Sequence, residues 1–312
     1  MAKSIVLITQ CVTLRRFLVQ SLRGIMKIRL IFGIILAITI FSGVVFSAEG
    51  KKVLLVSDID DTIKSTHVLS NQGAAARVAN VTLRFSGMAQ LYQLIINQNP
   101  SSTKVVYLSN APDRILGVPV LRYIDETFLS YNKFPAGELD MRGDFFEKNH
   151  KIKELRRLLT TEKPNLVIMI GDNGERDAEI YRQATLEFAQ TNIKMVSFIH
   201  QIYSSQPGYL DYVLDTNSFS ELGKKLEKDQ IGFVTPVEIA IELNQQGLLS
   251  DQSKAWMIQN VAPYIVNESY FDSDLYGTIT FPAFKNCSDF QWRWPVTPEL
   301  TALICKINSQ CK

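Results

Sequence analysis

The chain has 312 residues, 46% hydrophobic and 21% charged, with a net charge of +2. That suits one large globular domain with an elaboration, or two small ones. The charge is unevenly spread: residues 1–47 hold Lys3, Arg15, Arg16, Arg23, Lys27 and Arg29 and no acid, so the remainder sits near −4. A nucleic-acid binder shows the opposite balance, and no nucleic-acid partner is expected.

In chain order, Met26-Lys27-Ile28-Arg29 precedes Leu30–Phe46, 17 residues without a charge. A short basic region, an apolar run and the small residue Ser47 read as a signal peptide starting at Met26, cut after Ser47. The run is slightly long for a signal and slightly short for a comfortable span, so an uncleaved membrane anchor is the alternative. The expected address is outside the cytoplasm, periplasmic or secreted. After the leader, Cys287, Cys305 and Cys311 remain, and Cys287 bridging to either of the others would tie down the C-terminus. No close Cys-x-x-Cys pair suggests structural zinc.

A strand-then-helix alternation follows. Val53–Val56 ends in Ser57-Asp58, Lys104–Leu108 in Ser109-Asn110, and Leu166–Ile170 in Gly171-Asp172. Ile193–Ile199 is a fourth run and Tyr212–Leu214 a fifth. Helices are predicted at Gly87–Asn97, Asn149–Leu159, Glu175–Gln190 and Phe219–Glu227. Apolar strands separated by helices predict an α/β fold, a mostly parallel, Rossmann-like sheet covered on both faces. Residues 66–86 and 111–147 are irregular enough for small cap insertions or substrate-facing loops. From 228 the pattern changes to a partly helical extension: Thr235-Pro236 opens one helix, Gly247 closes it, and Ser250 or Asp251 caps another through Val261. The division is therefore a leader at 1–47, a catalytic domain at 48–227 and an extension of unknown role at 228–312.

The chemistry lies at the strand ends, where ligands bind in such sheets. In Asp58-Ile59-Asp60-Asp61-Thr62, Asp58 is placed to attack phosphorus and form an aspartyl-phosphate. Asp60 is placed to protonate the leaving group and then to activate water. Several carboxylates around a phosphate require a hard cation, and oxygen-only ligands suit Mg2+. In Gly171-Asp172-Asn173-Gly174-Glu175-Arg176-Asp177, Asp172 and Asp177 are placed to hold that ion with Asp58 and Asp60. The bland reading of this loop is a capped turn, with Asp172 or Asn173 serving the next helix. Ser109 and Asn110 supply donors to phosphate oxygens, Thr62 joins them beside the nucleophile, and Lys151, preferred over its rival Lys153, neutralises the transferring group. His150 reads as a surface or orienting residue.

Aspartate pair, strand-end serine, lysine and Gly-Asp loop, in that order, resemble the haloacid-dehalogenase superfamily of phosphohydrolases. The resemblance implies Asp58 as nucleophile, Asp60 as acid/base, Ser109 and Lys151 as phosphate ligands, and Mg2+ on Asp172 and the main-chain carbonyl of Asp60. Asp58–Lys64, Phe85–Ala89, Tyr107–Pro112, Phe134–Gly137 and Gly171–Tyr181 look more narrowly like the catalytic domain of the actin-patch-associated phosphatidate phosphatases. That resemblance runs from about 52 to 200 and implies hydrolysis of phosphatidic acid, with association to a membrane surface as a corollary. Asp113-Arg114 departs from it, standing where relatives carry an aromatic after the proline. The alternatives are a phosphatase of soluble phosphomonoesters and a phosphate- or metal-binding module without turnover.

Overall fold

The computed structural model describes residues 51–69, 78–115, 117–143, 147, 149–206, 222–267 and 287–311. The leader, Cys11 and the expected fifth run at Tyr212–Leu214 lie outside the described residues. Among the described residues no helix is long and apolar enough to cross a membrane.

The order of elements is β1 (Val53–Ser57), α1 (Met88–Gln98), β2 (Thr103–Pro112), α2 (Val120–Tyr131), β3 (Glu138–Arg142), α3 (His150–Glu162), β4 (Leu166–Asp172), α4 (Asp177–Glu187), β5 (Lys194–His200) and β6 (Ile231–Phe233). Then come α5 (Pro236–Gln245), α6 (Asp251–Trp256), a π-helical stretch at Met257–Val261, α7 (Ala262–Asn267), a 3-10 turn at Pro298–Leu300 and α8 (Thr301–Gln310). The strands form one sheet in the order β3-β2-β1-β4-β5-β6. All neighbouring pairs are parallel. This is the expected Rossmann-like sheet.

Both faces are covered, which is why the inner strands read as continuous apolar runs rather than alternating ones. Val53 and Leu55 of β1 join Leu166, Ile168 and Ile170 of β4 in one core, with Leu91, Tyr92 and Ile95 of α1. Leu54, Val56, Val167 and Met169 point the other way, onto Ile152, Leu155, Leu158 and Leu159 of α3 and Ala178, Tyr181 and Ala184 of α4. Each fully buried Leu, Ile or Val contributes about 1.5–3 kcal/mol of transfer free energy. The α3 residues at spacings of three and four make one apolar stripe, and its other positions are polar.

Residues 111–147, read as a place for loops or a cap, instead carry α2 and the edge strand β3. Only Met141 of β3 is buried, so Glu138-Leu139-Asp140-Met141-Arg142 lacks the apolar run that marks an inner strand. Glu221 lies outside the description and 222–227 carry no helix, so the expected helix at Phe219–Glu227 is not borne out there. Gly223 comes against Tyr203 and Asn173 too closely to admit a Cβ, which suits a packed irregular strand of chain.

Beyond residue 228, β6 adds the sixth strand, and Val237, Leu243, Met257, Ile265 and Leu303 enter the α1-side core. Thr235 caps α5 in a full capping box with Glu238, behind Pro236, satisfying two otherwise orphaned amides. Ser250 caps α6 by accepting from the Ser253 amide at 3.1 Å. Cys287 is bonded to Cys311, one of the two expected pairings, and Cys305 is free and exposed.

Candidate active site

The strand order changes direction at β1, with β2 on one side and β4 on the other. At such a switch the connections leave to opposite faces and open a crevice beyond the carboxyl ends. Asp58 immediately follows β1, its amide donating to the Ile170 carbonyl at 2.8 Å. Asp172 closes β4. The two acids therefore stand side by side at the crevice.

Asp58, Asp172 and Asp177 are all buried, and carboxylate oxygens from the three lie within 4.8 Å of one another. Lys151, equally buried, places Nζ 2.6 Å from Asp58 Oδ1 and 2.6 Å from Asp177 Oδ1. It stands in the first turn of α3, where the helix dipole disfavours a cation; the two carboxylates compensate. Thr62 Oγ1 donates to Asp58 Oδ2 at 3.0 Å. The carboxylate is thus held at both oxygens. Gly171 is required here, because a Cβ would collide with the Asp177 side chain.

Asp172 Oδ1 accepts from the amides of Gly174, at 2.5 Å, and Glu175, at 3.2 Å. Those bonds shape the loop, but α4 itself begins without a side-chain cap. The capped-turn reading therefore does not describe this loop. Asn173 instead clamps it to the neighbouring chain: Oδ1 accepts from the amides of Ile202 and Tyr203, both at 3.1 Å, and Nδ2 donates to the Tyr203 carbonyl at 2.6 Å.

Burial raises the Asp58 carboxyl well above its ordinary range, with Lys151 opposing and Asp177, Glu175 and Asp60 adding to the rise. Burial likewise raises Asp172, reinforced by Asp177 and Asp58. For Lys151 burial acts downward, but Asp177 and Asp58 outweigh it and hold the ammonium above its usual value. One buried cation thus faces three buried carboxylates. Such an excess is costly unless a further cation is bound, and the donor set is oxygen throughout. A hard divalent ion fits this site.

Ser109, buried at the end of β2, accepts from the Ala111 amide at 3.0 Å. Asn110 Nδ2 donates to Glu175 Oε2 at 2.8 Å. The Asp60 carboxylate stands apart from the three-acid group, accepting from the Thr66 hydroxyl; the resemblance assigns it to the metal through its main-chain carbonyl. Lys153 is exposed and pairs with Glu147 at 2.5 Å, away from the acids. His150 Nε2 lies 2.7 Å from Asp140 Oδ1.

Sequence reasoning passed over Asp61. Its backbone is left-handed, with φ 59°, and its carboxylate accepts from the amides of Thr66, His67 and Val68 at 2.8, 2.6 and 2.7 Å and from the Tyr203 hydroxyl. Its carbonyl lies 2.8 Å from His200 Nδ1. Burial raises Asp61 to about 6 against those hydrogen bonds. This side chain fixes the loop that positions Asp58 and Asp60. The only local signal was a third aspartate within four residues, Asp58 to Asp61; the Tyr203 contact spans 142 residues.

Comparison with known proteins decides between the broad and the narrow resemblance. Residues 53–200 match the family described as "Phosphatidate phosphatase APP1, catalytic domain". The narrow resemblance is borne out. Over 149 residues the chain is 28% identical to "Phosphatidate phosphatase APP1" of Saccharomyces cerevisiae (strain ATCC 204508 / S288c), covering 43% of this chain and 24% of that protein. The chain thus spans about a quarter of that relative's length. Among solved structures, a chain in "Structure of the Pnkp1/Rnl/Hen1 RNA repair complex" aligns over 48% of this chain and 43% of its own, at 15% identity and a TM-score of 0.30. A likeness that low carries no argument.

Proposed function

We propose that this chain is a divalent-cation-dependent phosphatase that hydrolyses phosphatidic acid through an aspartyl-phosphate on Asp58. One observation carries the chemistry: Asp58 is buried at a strand end, held at both oxygens, inside a carboxylate group that outnumbers its cation. The match of residues 53–200 to a phosphatidate phosphatase catalytic domain supports the substrate.

An Asp58 oxygen attacks phosphorus and forms the new P–O bond. The bond to the leaving alcohol breaks, and Asp60 gives its proton to the departing oxygen. Asp60 then takes a proton from water, the water oxygen attacks phosphorus, and the Asp58–phosphorus bond breaks. Phosphate is released and both aspartates return to their starting forms. Lys151 keeps Asp58 aimed and offsets negative charge, while Ser109 and the Asn110 amide donate to the phosphoryl oxygens. Asp58, Asp172, Asp177 and the Asp60 carbonyl would hold Mg2+, which when bound offsets the charge of phosphate and carboxylates.

We further propose that residues 48–227 are the catalytic domain, that 228–312 are an extension to it, and that the protein works outside the cytoplasm. The Cys287–Cys311 bond supports that address, since such bonds persist in oxidising compartments. The test is phosphate release with and without chelator, from phosphatidic acid in mixed micelles, lysophosphatidic acid, sugar phosphates, nucleotides and a phosphopeptide. The expected result is chelator-sensitive release, greatest from phosphatidic acid. Release mainly from a soluble ester would move the substrate and keep the chemistry; release unaffected by chelator would remove the metal.

A further inference from the structure

Among the described residues nine large hydrophobic side chains are exposed. Four of them crowd into residues 115–123: Ile115 at 42%, Val118 at 55%, Val120 at 44% and Tyr123 at 70%. Isolated exposed apolar residues need no explanation, but a contiguous group does.

The local structure gathers them. Ile115 and Val118 exchange both backbone hydrogen bonds, at 2.9 and 3.0 Å. They are therefore directly opposed, with side chains on one face of a tight hairpin. Gly117 takes the left-handed conformation at its tip, φ 82°. Val120 and Tyr123, three apart on α2, share a helix face. The root of the hairpin is fixed: the Asp113 amide donates to the Arg142 carbonyl at the end of β3, at 2.7 Å. Asp113 is shared between Arg114 and Arg122, and Arg122 also meets Glu126 at 3.7 Å, while the Arg114 side chain is 60% exposed.

This hairpin begins directly after β2, whose end carries Ser109 and Asn110 beside the carboxylate group. We propose that residues 113–123 dock the site's mouth on a phospholipid surface, an inference that rests on the lipid-phosphate reading above. Ile115, Val118 and Tyr123 enter the interfacial region and Arg114 meets the phosphates of the headgroups. Aliphatic, tyrosine and arginine side chains together suit that boundary, where one end is apolar and the other wet. The placement favours a bilayer over a protein partner, because a protein seated here would cover the strand ends through which substrate enters.

The experiment uses the full chain with Cys11→Ser and Cys305→Ser, so that an environment-sensitive fluorophore labels one introduced thiol. A probe at Val118→Cys is compared with one at Val296→Cys, a position at least as exposed, 66% against 55%, remote in sequence and absent from the hairpin. Vesicles of phosphatidylcholine with phosphatidic acid and a spin-labelled quencher lipid are added. Quenching of the Val118 probe at least about fivefold stronger than that of the Val296 probe is expected; equal quenching, or none, overturns the proposal. In parallel, Ile115→Ser/Val118→Ser/Tyr123→Ser should lower turnover of vesicle phosphatidic acid at least about tenfold and leave a soluble aryl phosphate within about twofold. Equal loss on both substrates overturns docking as the cause. Selective quenching without turnover of vesicle lipid by the wild type would leave docking intact and sink the lipid-phosphatase reading instead.

Discussion

Two lysines, Lys64 and Lys151, are fully buried, and they differ in one respect. Lys64 meets Asp125 Oδ1 at 3.0 Å and the Val78 carbonyl at 2.8 Å, with its ammonium 5.6 Å from the Phe128 ring centre. In direct contact one cation meets one anion, a closed pair, with the Asp60 carboxylate also acting on Asp125. Lys151 meets Asp58 and Asp177 at 2.6 Å each, with Asp172 completing the acid group. Here one cation meets three anions. Both lysines are buried and hydrogen-bonded, so burial alone does not distinguish a structural pair from a functional one. The charge balance does: the closed pair holds the α2 side of the fold, and the open one is left attractive to a cation and a phosphate.

The largest expected effect comes from the centre of the open group. Asp58→Asn should lower turnover by at least about 10^3-fold, as loss of a nucleophile does, with the folded state kept. Steady-state phosphate release and a thermal melt check both halves. Next is Lys151→Met, which leaves three buried carboxylates without their lysine. It should cost about 3–5 kcal/mol in chelator, read by denaturant unfolding, and divalent cation should restore part of that loss.

The closed pair should respond in the opposite sense. Asp125→Ala alone strands Lys64 and should also cost about 3–5 kcal/mol, whereas Lys64→Met with Asp125→Leu should be neutral or stabilising. A double variant as unstable as the single one would contradict the distinction between the two lysines.

Glu238 offers a third case, a buried carboxylate with no cation partner among the described residues. Burial raises it to about 8, against hydrogen bonds from Thr235. Its folded pKa is the higher one, so the folded state keeps the proton longer than the unfolded state. The stability that Glu238 contributes is then fullest below pH about 4.5 and is lost as pH rises toward 8. Glu238→Gln should flatten that fall, checked by melting temperature across pH 5 to 8. The smallest effect is expected at Lys153→Ala, an exposed ion pair, with stability within about 0.5 kcal/mol and turnover unchanged.

The legibility of this molecule followed burial. β1, β2, β4 and β5 are covered on both faces and read as apolar runs, and the ends of three of them mark Asp58, Ser109 and Asp172 in the sequence. The edge strand β3 is mostly uncovered, and β6 has only Ile231-Gly232-Phe233, so neither carries a pattern. Helix α2 begins behind Pro119 with no side-chain cap, which hid its start. Lys151 was separable from Lys153 only weakly by sequence; α3 turns one inward and the other out. Asp61, Tyr203 and Asn173 act through contacts between distant parts of the chain, which no local pattern encodes.

The open carboxylate group is proposed to make Asp58 a covalent nucleophile. The most direct test is acid quenching during turnover of phosphatidic acid labelled with 32P in the phosphate, followed by mapping of the label. One hydroxylamine-labile phosphoryl group is expected on Asp58, absent from Asp58→Asn. Label on another residue, or phosphate release with no protein-bound label at any quench time, would contradict it.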